Sequence, residues 1–240
     1  MDNYNQQYTD QYKPVEAAFS TAELRKFLLN VYNWMTMGMA LTGLVAFGVS
    51  TSETLLEFIL LNPFIFYGLM IAQLLVVIVL SAAINKMPSA VAIGAFFLYS
   101  FLTGLTFSFI FLVYTSTSIA YTFFICAAMF ASVSVFGYIT KMNLAGVGTF
   151  MMMGLFGLII ASVVNIFLQN SMLDMMISYI GVLIFVGLTA WDTQKIKRAA
   201  QQMSFETEEG KKVAVMGALS LYLDFINMFL FLLRIMGNRR

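Results

Sequence analysis

Residues 87–140 read MPSAVAIGAFFLYSFLTGLTFSFIFLVYTSTSIAYTFFICAAMFASVSVFGYIT, without one charged side chain. A helix needs about 20 apolar residues to cross a bilayer, so this run holds two helices. Tyr114-Thr115-Ser116-Thr117-Ser118 divides it, because hydroxyl side chains compete for backbone hydrogen bonds and favour turns. Working outward, residues 27–52, 58–85 and 142–173 are also free of charge. Further spans run from about Met175 to Gln194 and from Val213 to Leu233. The reading is an all-α polytopic membrane protein with seven transmembrane helices, over approximately 28–49, 64–84, 90–113, 118–139, 148–168, 175–194 and 213–234.

Composition supports this and excludes several function classes. Apolar residues make up 60% of the 240 residues and charged ones 10%, too few charges to cover a soluble surface. There is no His and a single Cys, Cys126. No disulfide forms within the chain, and imidazole-based zinc or copper sites are excluded. No cofactor is expected. A net charge of +1 offers no basic field to hold nucleic acid.

Lys and Arg near the span ends set orientation. With the N-terminus in the cytoplasm, inside segments hold Lys13, Arg25, Lys26, Lys86, Lys141, Lys195, Lys197, Arg198, Lys211 and Lys212. The outside loops 50–63, 114–117 and 169–174 hold none. Only Arg234, Arg239 and Arg240 oppose this if the last span exits on the far side; a last segment that turned back would put them inside. Residues 1–20 form a polar cytoplasmic tail with Tyr4, Tyr8 and Tyr12 and no signal-peptide pattern. Ser20-Thr21-Ala22-Glu23 reads as a helix cap, and residues 21–240 as one seven-helix membrane domain. Glu206, Glu208 and Glu209, in the polar loop 199–212, read as solvated.

Helices in lipid approach closely through small residues. Ser100, Gly104 and Ser108 recur at every fourth position; Gly38, Gly43 and Gly48 in span one and Gly154 and Gly157 in span five read likewise as packing faces. Met151-Met152-Met153 reads as core filling or lipid contact. No phosphate-loop pattern follows a plausible strand.

Two carboxylates stand apart from the rest. Asp192 lies inside the end of span six, with Lys195 one turn away as a candidate partner. Asp224 is near mid-membrane in the run 213–233, where a carboxylate costs about 2.5–3.5 kcal/mol on insertion scales. At 100° per residue, Gly217, Ser220, Asp224, Asn227 and Arg234 fall within one stripe, which should face the bundle interior. Asp192 shares a face with Thr189, Phe185, Gly181 and Ser178. These spans place Asp224 deeper than Asp192, so the two meet only if span seven begins past Val213 or tilts. Otherwise Asp224 is a protonated acid bonded to Ser220 or Asn227. Two carboxylates sharing a low-dielectric site do not both ionise easily, so proton loss belongs to the pair. With no histidine present, this is the chain's best sensor near physiological pH.

Gly187-Leu-Thr-Ala-Trp-Asp192-Thr-Gln-Lys-Ile196 and Ala218-Leu-Ser-Leu-Tyr-Leu-Asp224-Phe-Ile-Asn-Met-Phe-Leu230 resemble the signature of the Bax inhibitor-1 family, in its bacterial branch. Similarity through Tyr99–Phe109, Gly137-Tyr138 with Lys141, and Gly154–Phe167 extends it over nearly everything after residue 20. The resemblance implies a seven-helix fold whose last helix is central, surrounded by the other six. It also implies a di-aspartyl pH sensor at Asp192 and Asp224 controlling a Ca²⁺ leak, in the inner membrane of a bacterial cell. An arginine latch near the end of span two belongs to that pattern; here the region reads Ser81-Ala-Ala-Ile-Asn85-Lys86, which leaves Lys86 as the candidate latch. Gln73 stands where an acidic residue is offered by the pattern.

The expected function is a pH-sensitive, Ca²⁺-permeable leak channel, not an enzyme, with Asp192 and Asp224 contacting Ca²⁺ and protons in transit. Ser220, Asn227 and Arg234 form the supporting polar stripe. Ca²⁺ takes about 6–8 oxygens, so these residues support transient binding only. Two alternatives are kept: an interaction protein regulating an AAA-type membrane protease through the tail 1–20, and a proton-coupled Ca²⁺ exchanger. An intramembrane aspartyl protease is disfavoured, because Leu221-Tyr222-Leu223 precedes Asp224 in place of Gly-x-Gly and no Pro follows Pro88.

Overall fold

Short polar residues close the helices at the seams between apolar runs. The Asn62 side chain accepts from Phe64 N (3.2 Å) with Pro63 at the first helical position, and Asn170 accepts from Met172 N and Leu173 N (2.9 and 3.1 Å). Thr115 and Thr207 do the same for Ser118 N and Gly210 N (3.3 and 2.9 Å), each satisfying a donor that a helix start leaves open. The computed structural model describes residues 21–60 and 62–240. The tail 1–20 and the Ser20 cap lie outside them.

These seams delimit nine α-helices among the described residues: α1 (Thr21–Ser50), α2 (Glu53–Leu60), α3 (Pro63–Ala83), α4 (Ser89–Phe107), α5 (Ile110–Val113), α6 (Ser116–Ile139), α7 (Ala145–Leu168), α8 (Ser171–Ala200) and α9 (Glu208–Met236). A 3-10 turn, Ile84–Lys86, follows α3. The seven expected spans correspond in order to α1, α3, α4 with α5, α6, α7, α8 and α9. Among the described residues six spans are long and apolar enough to cross a membrane, α4 counted with α5 and α3 with the 3-10 turn; α1 passes together with α2, which bends away from it by 104°. The short helix α2 stands where a plain loop 50–63 is expected.

The last helix is the core. In α9, 67% of the most apolar window is buried, against 6% in α3 and in α7. Its principal neighbours are α1, α4, α6 and α8; α3 packs mainly on α4, and α7 on α8. Four helices therefore form the main wall around α9, rather than six equally. The Tyr222 ring meets Phe96 and Tyr99 edge-on, both at 5.8 Å. Phe225 meets Phe123 and Phe130 at 5.4 and 5.5 Å. Outward-facing Phe124, Phe156, Ile160 and Phe167 are exposed, as a lipid-facing surface requires.

Small residues seat α1 on α4: a side chain at Gly104 would meet Val45 and the Thr42 carbonyl, and one at Gly38 would meet Phe96. Gly43, Gly48 and Gly157 depart from the expected packing faces, since a methyl group there would touch nothing within 4 Å. Met152 and Met153 are exposed, whereas Met151 packs against Gly187.

One end of the bundle gathers most of the cations. Lys197 donates to Tyr138 O (2.7 Å), Arg198 to Asn143 Oδ1 (2.9 Å) and Lys212 to Asn85 O (3.4 Å). The loop carboxylates expected to be solvated are engaged here. Glu206 pairs with Lys26, and the Glu208 carboxylate receives Ser89 N (2.5 Å) and Ser89 Oγ (2.7 Å) at the start of α4. The chain's last residues lie at the other end: Arg240 N donates to Val113 O (2.9 Å) and Asn238 N to Ser118 Oγ (3.0 Å). The last helix does not turn back.

Candidate functional site

Antiparallel α8 and α9 place the two aspartates. Asp192 and Ser220 line the same cavities. Gly217 faces Ile196, and Gly181 faces the Phe231 ring. That register puts Asp224 opposite Leu188 and Thr189, one helical turn, about 5.4 Å of rise, beyond Asp192. α9 begins at Glu208, earlier than Val213. The stagger is narrowed not by a late start but by the first turn of α9 overhanging the end of α8, where Val213 and Ala199 line one cavity.

Both aspartates are buried, Asp192 at 9% and Asp224 at 4% exposure. Both line a central cavity of about 640 Å³, with Ser220, Asn227, Phe185 and Leu158 also in its wall. Asp224 Oδ2 is buried with no hydrogen-bond partner among the described residues. Thr189 stands beside it, yet the Thr189 hydroxyl donates to Phe185 O (2.7 Å). Asn227 Nδ2 donates to Leu223 O (2.8 Å), and no bond from its second hydrogen to the acid is present among the described residues. A buried carboxyl oxygen left without a donor is costly, and a proton, a cation or a water in the cavity relieves it.

Two further cavities adjoin this one in sequence along the α8–α9 groove. Towards the Lys-rich end, a space of about 120 Å³ is lined by Asp192, Lys195, Gly217 and Ser220. Towards the other end, one of about 490 Å³ is lined by Ser162, Asn165, Asp174, Asn227, Phe231 and Arg234. Asp192 and Ser220 are shared by the first two; Ser162, Asn227 and Phe231 are shared by the last two. The polar stripe read from the sequence therefore winds through all three.

The remaining candidates separate. Lys195 lies over the Trp191 ring, 5.3 Å from its centroid, and forms no ion pair with Asp192 among those present in the described residues. Lys86 is exposed on the 3-10 turn and lines none of the three cavities. Gln73 accepts from Thr103 (3.3 Å) on the α3–α4 seam; its neighbour Leu74 reaches the central cavity. Arg234 pairs with Asp174 at 2.9 Å. Asp174 was legible: it lies four residues before Ser178, so it extends the Asp192 face by one turn.

Among the described residues no group of three or more Asp, Glu, Cys or His side chains could hold a metal ion. Two carboxylates in one cavity, with no hydrogen bond between them among the described residues, suit transient contact with a cation and not tight chelation.

Known proteins share this arrangement of sequence. The family model described as inhibitor of apoptosis-promoting Bax1 matches residues 24–240. An inner membrane protein of Escherichia coli, YbhL, is 49% identical over 220 residues, covering 91% of this chain and 94% of its own. A protein of Borreliella burgdorferi is 43% identical over 215 residues, covering 90% and 93%. One of Caulobacter vibrioides is 35% identical over 250 residues and covers all of both chains. The family match runs through every helix from α1 to α9 and includes both aspartate motifs, and the chain belongs to the Bax inhibitor-1 family.

Proposed function

We propose that this integral membrane protein is a pH-sensitive, Ca²⁺-permeable leak channel in which Asp192 and Asp224 form the sensor and gate. One observation carries the reading: both carboxylates line a single cavity, whose wall also includes the exposed Leu74, Met152 and Ile159, and among the described residues one oxygen of Asp224 is buried without a partner. Two carboxylates in one low-dielectric cavity do not both ionise easily, so such a pair takes up or yields charge as pH changes. The ionised pair attracts a divalent cation; the neutral pair does not. Adjoining cavities on either side supply the approach.

The Lys-rich end, with residue 21, faces the cytoplasm on the positive-inside pattern. A bacterial inner membrane is the setting, as the name of the Escherichia coli relative suggests.

Ca²⁺ flux into proteoliposomes, measured from about pH 5 to 8, tests the proposal. Asp224→Asn and Asp192→Asn should each flatten the pH profile. Permeability unchanged by Asp224→Asn at every pH would falsify the proposal. Flux that appears only under an imposed pH gradient identifies proton-coupled exchange in place of a leak.

A further inference from the structure

Residues 238–240 are stitched across the junction of α5 and α6. Arg240 N donates to Val113 O (2.9 Å), Asn238 N to Ser118 Oγ (3.0 Å) and Thr115 N to Asn238 O (3.2 Å). Arg239 and Arg240 are thereby held, exposed, at the end of the bundle away from the lysines. Neither is in an ion pair among the described residues. The acids of that end lie elsewhere. Asp174 pairs with Arg234, and Glu53 and Glu57 are on α2, which packs on α1 and α3.

An apolar cavity of about 100 Å³ adjoins these arginines, between α1, α5, α6 and α9. Gly43, Phe111, Ile119, Phe123, Phe225 and Phe229 are in its wall. Ile119 follows Ser118, and Phe111 stands two residues before Val113, so the stitched backbone borders the cavity directly. On the outer side Phe123 is 38% exposed, and a methyl group at Gly43 would meet nothing within 4 Å. The seam between α1 and α6 is therefore open to the bilayer. Its wall has one hydroxyl, Thr42, already bonded to Ser100 O (2.8 Å) and Tyr222 (2.7 Å). An apolar space of this kind stays dry and takes hydrocarbon.

We propose that this seam binds an anionic phospholipid, with an acyl chain in the cavity and the phosphate on Arg239 and Arg240. A guanidinium is a planar donor that meets two phosphate oxygens at once. The chain alone would be held no better than any neighbouring lipid, because hydrocarbon surrounds the whole bundle. Selectivity comes from the headgroup, and the cavity fixes where that lipid lies, against Phe225 and Phe229 of the central helix.

The full chain carrying Trp34→Phe, Trp191→Phe and Phe123→Trp reports occupancy of the seam by its fluorescence. It is reconstituted in phosphatidylcholine vesicles with increasing mole fractions of phosphatidylglycerol or phosphatidylcholine whose acyl chains are brominated and quench on contact. Half-maximal quenching should need about fivefold less of the brominated phosphatidylglycerol. Arg239→Gln together with Arg240→Gln should bring the two lipids level. Gly43→Leu, which fills the mouth of the seam, should abolish the preference with both arginines in place. If that variant does not fold, the arginine pair decides alone. Equal quenching by the two lipids, a preference that survives loss of both arginines, or one untouched by Gly43→Leu each overturns the site. A seam shielded from both brominated lipids is covered by a second copy of the chain, and that outcome overturns it too.

Discussion

Asp192 and Asp224 share one cavity while standing a helical turn apart, because Ser220, not Asp224, is the residue opposite Asp192. The stagger gives the two acids different surroundings. Asp192 also borders the small cavity with Lys195, nearer the Lys-rich end. Asp224 sits further in, beside Thr189, with one oxygen that has no hydrogen-bond partner among the described residues.

A buried carboxyl oxygen without a donor is a stability cost. Asp224→Leu removes it beside a cavity with room for the larger side chain. Stability should rise by on the order of 1–3 kcal/mol, the usual cost of an unsatisfied buried group, while pH-dependent flux disappears. Thermal unfolding of the purified protein and flux measured on the same preparation check this. A destabilised variant would mean that Asp224 is held by a bond absent from this arrangement.

Phe231 lines both the central cavity and the cavity at the Arg234 end, and Gly181 gives its ring the room to lie there. A methyl group at Gly181 would lie 2.6–2.8 Å from three atoms of the Phe231 ring. The ring stacks on Phe185 with centroids 6.0 Å apart, so it yields by swinging away from Gly181. Gly181→Ala should change Ca²⁺ permeability several-fold at constant pH. Gly157→Ala serves as the control: it meets nothing within 4 Å, leaves flux unchanged, and gains about 0.5–1 kcal/mol of helix stability. Equal flux in both variants would remove Phe231 from the pathway.

On the opposite face of α9, Tyr222 is fully buried and its hydroxyl lies 2.7 Å from Thr42 Oγ1, which also reaches Ser100 O at 2.8 Å. This bond ties α9 to α1 and α4 through one hydroxyl. Tyr222→Phe and Thr42→Val should each destabilise by about 1–2 kcal/mol, with a coupling of about 0.5–1 kcal/mol in the double-mutant cycle. Additive losses would show that the two hydroxyls do not depend on each other.

Charge scarcity made much of this legible. With 10% charged residues, uninterrupted apolar runs mark the spans, and Asp192 and Asp224 stand out as charges that no loop explains. The helical stripe from Gly217 to Arg234 was readable because period and polarity coincide on α9. The two-acid register was not readable, since it depends on how far α9 overhangs α8, which turn chemistry in loop 201–207 sets. Nor was the role of Glu208. A carboxylate in a polar loop looks solvated until the start of α4 at Ser89 is brought beside it. Hydropathy also gave no warning of α2, whose apolar residues merge with the run that follows.

Glu206 supplies a control on where pH acts. The hydrogen bond from Lys26 and the charge of that amine hold the Glu206 carboxyl below its ordinary value of 4.5. A lowered carboxylate contributes stability that is fully present above its unfolded value and is lost as pH falls through the folded one. The clasp between α1 and the 201–207 loop is therefore constant across the neutral range and opens only in stronger acid. Its state can be followed: Phe205, next to Glu206, packs against Trp34 with ring centroids 5.5 Å apart, and the chain has two Trp. In a Trp191→Phe background, Trp34 fluorescence should be flat from about pH 5 to 8 and shift only below the ordinary glutamate range. Glu206→Gln should abolish that acid shift while leaving the pH profile of Ca²⁺ flux intact. A fluorescence transition centred between about pH 6 and 8, lost together with flux gating in Glu206→Gln, would move the sensor from the buried aspartates to this surface clasp.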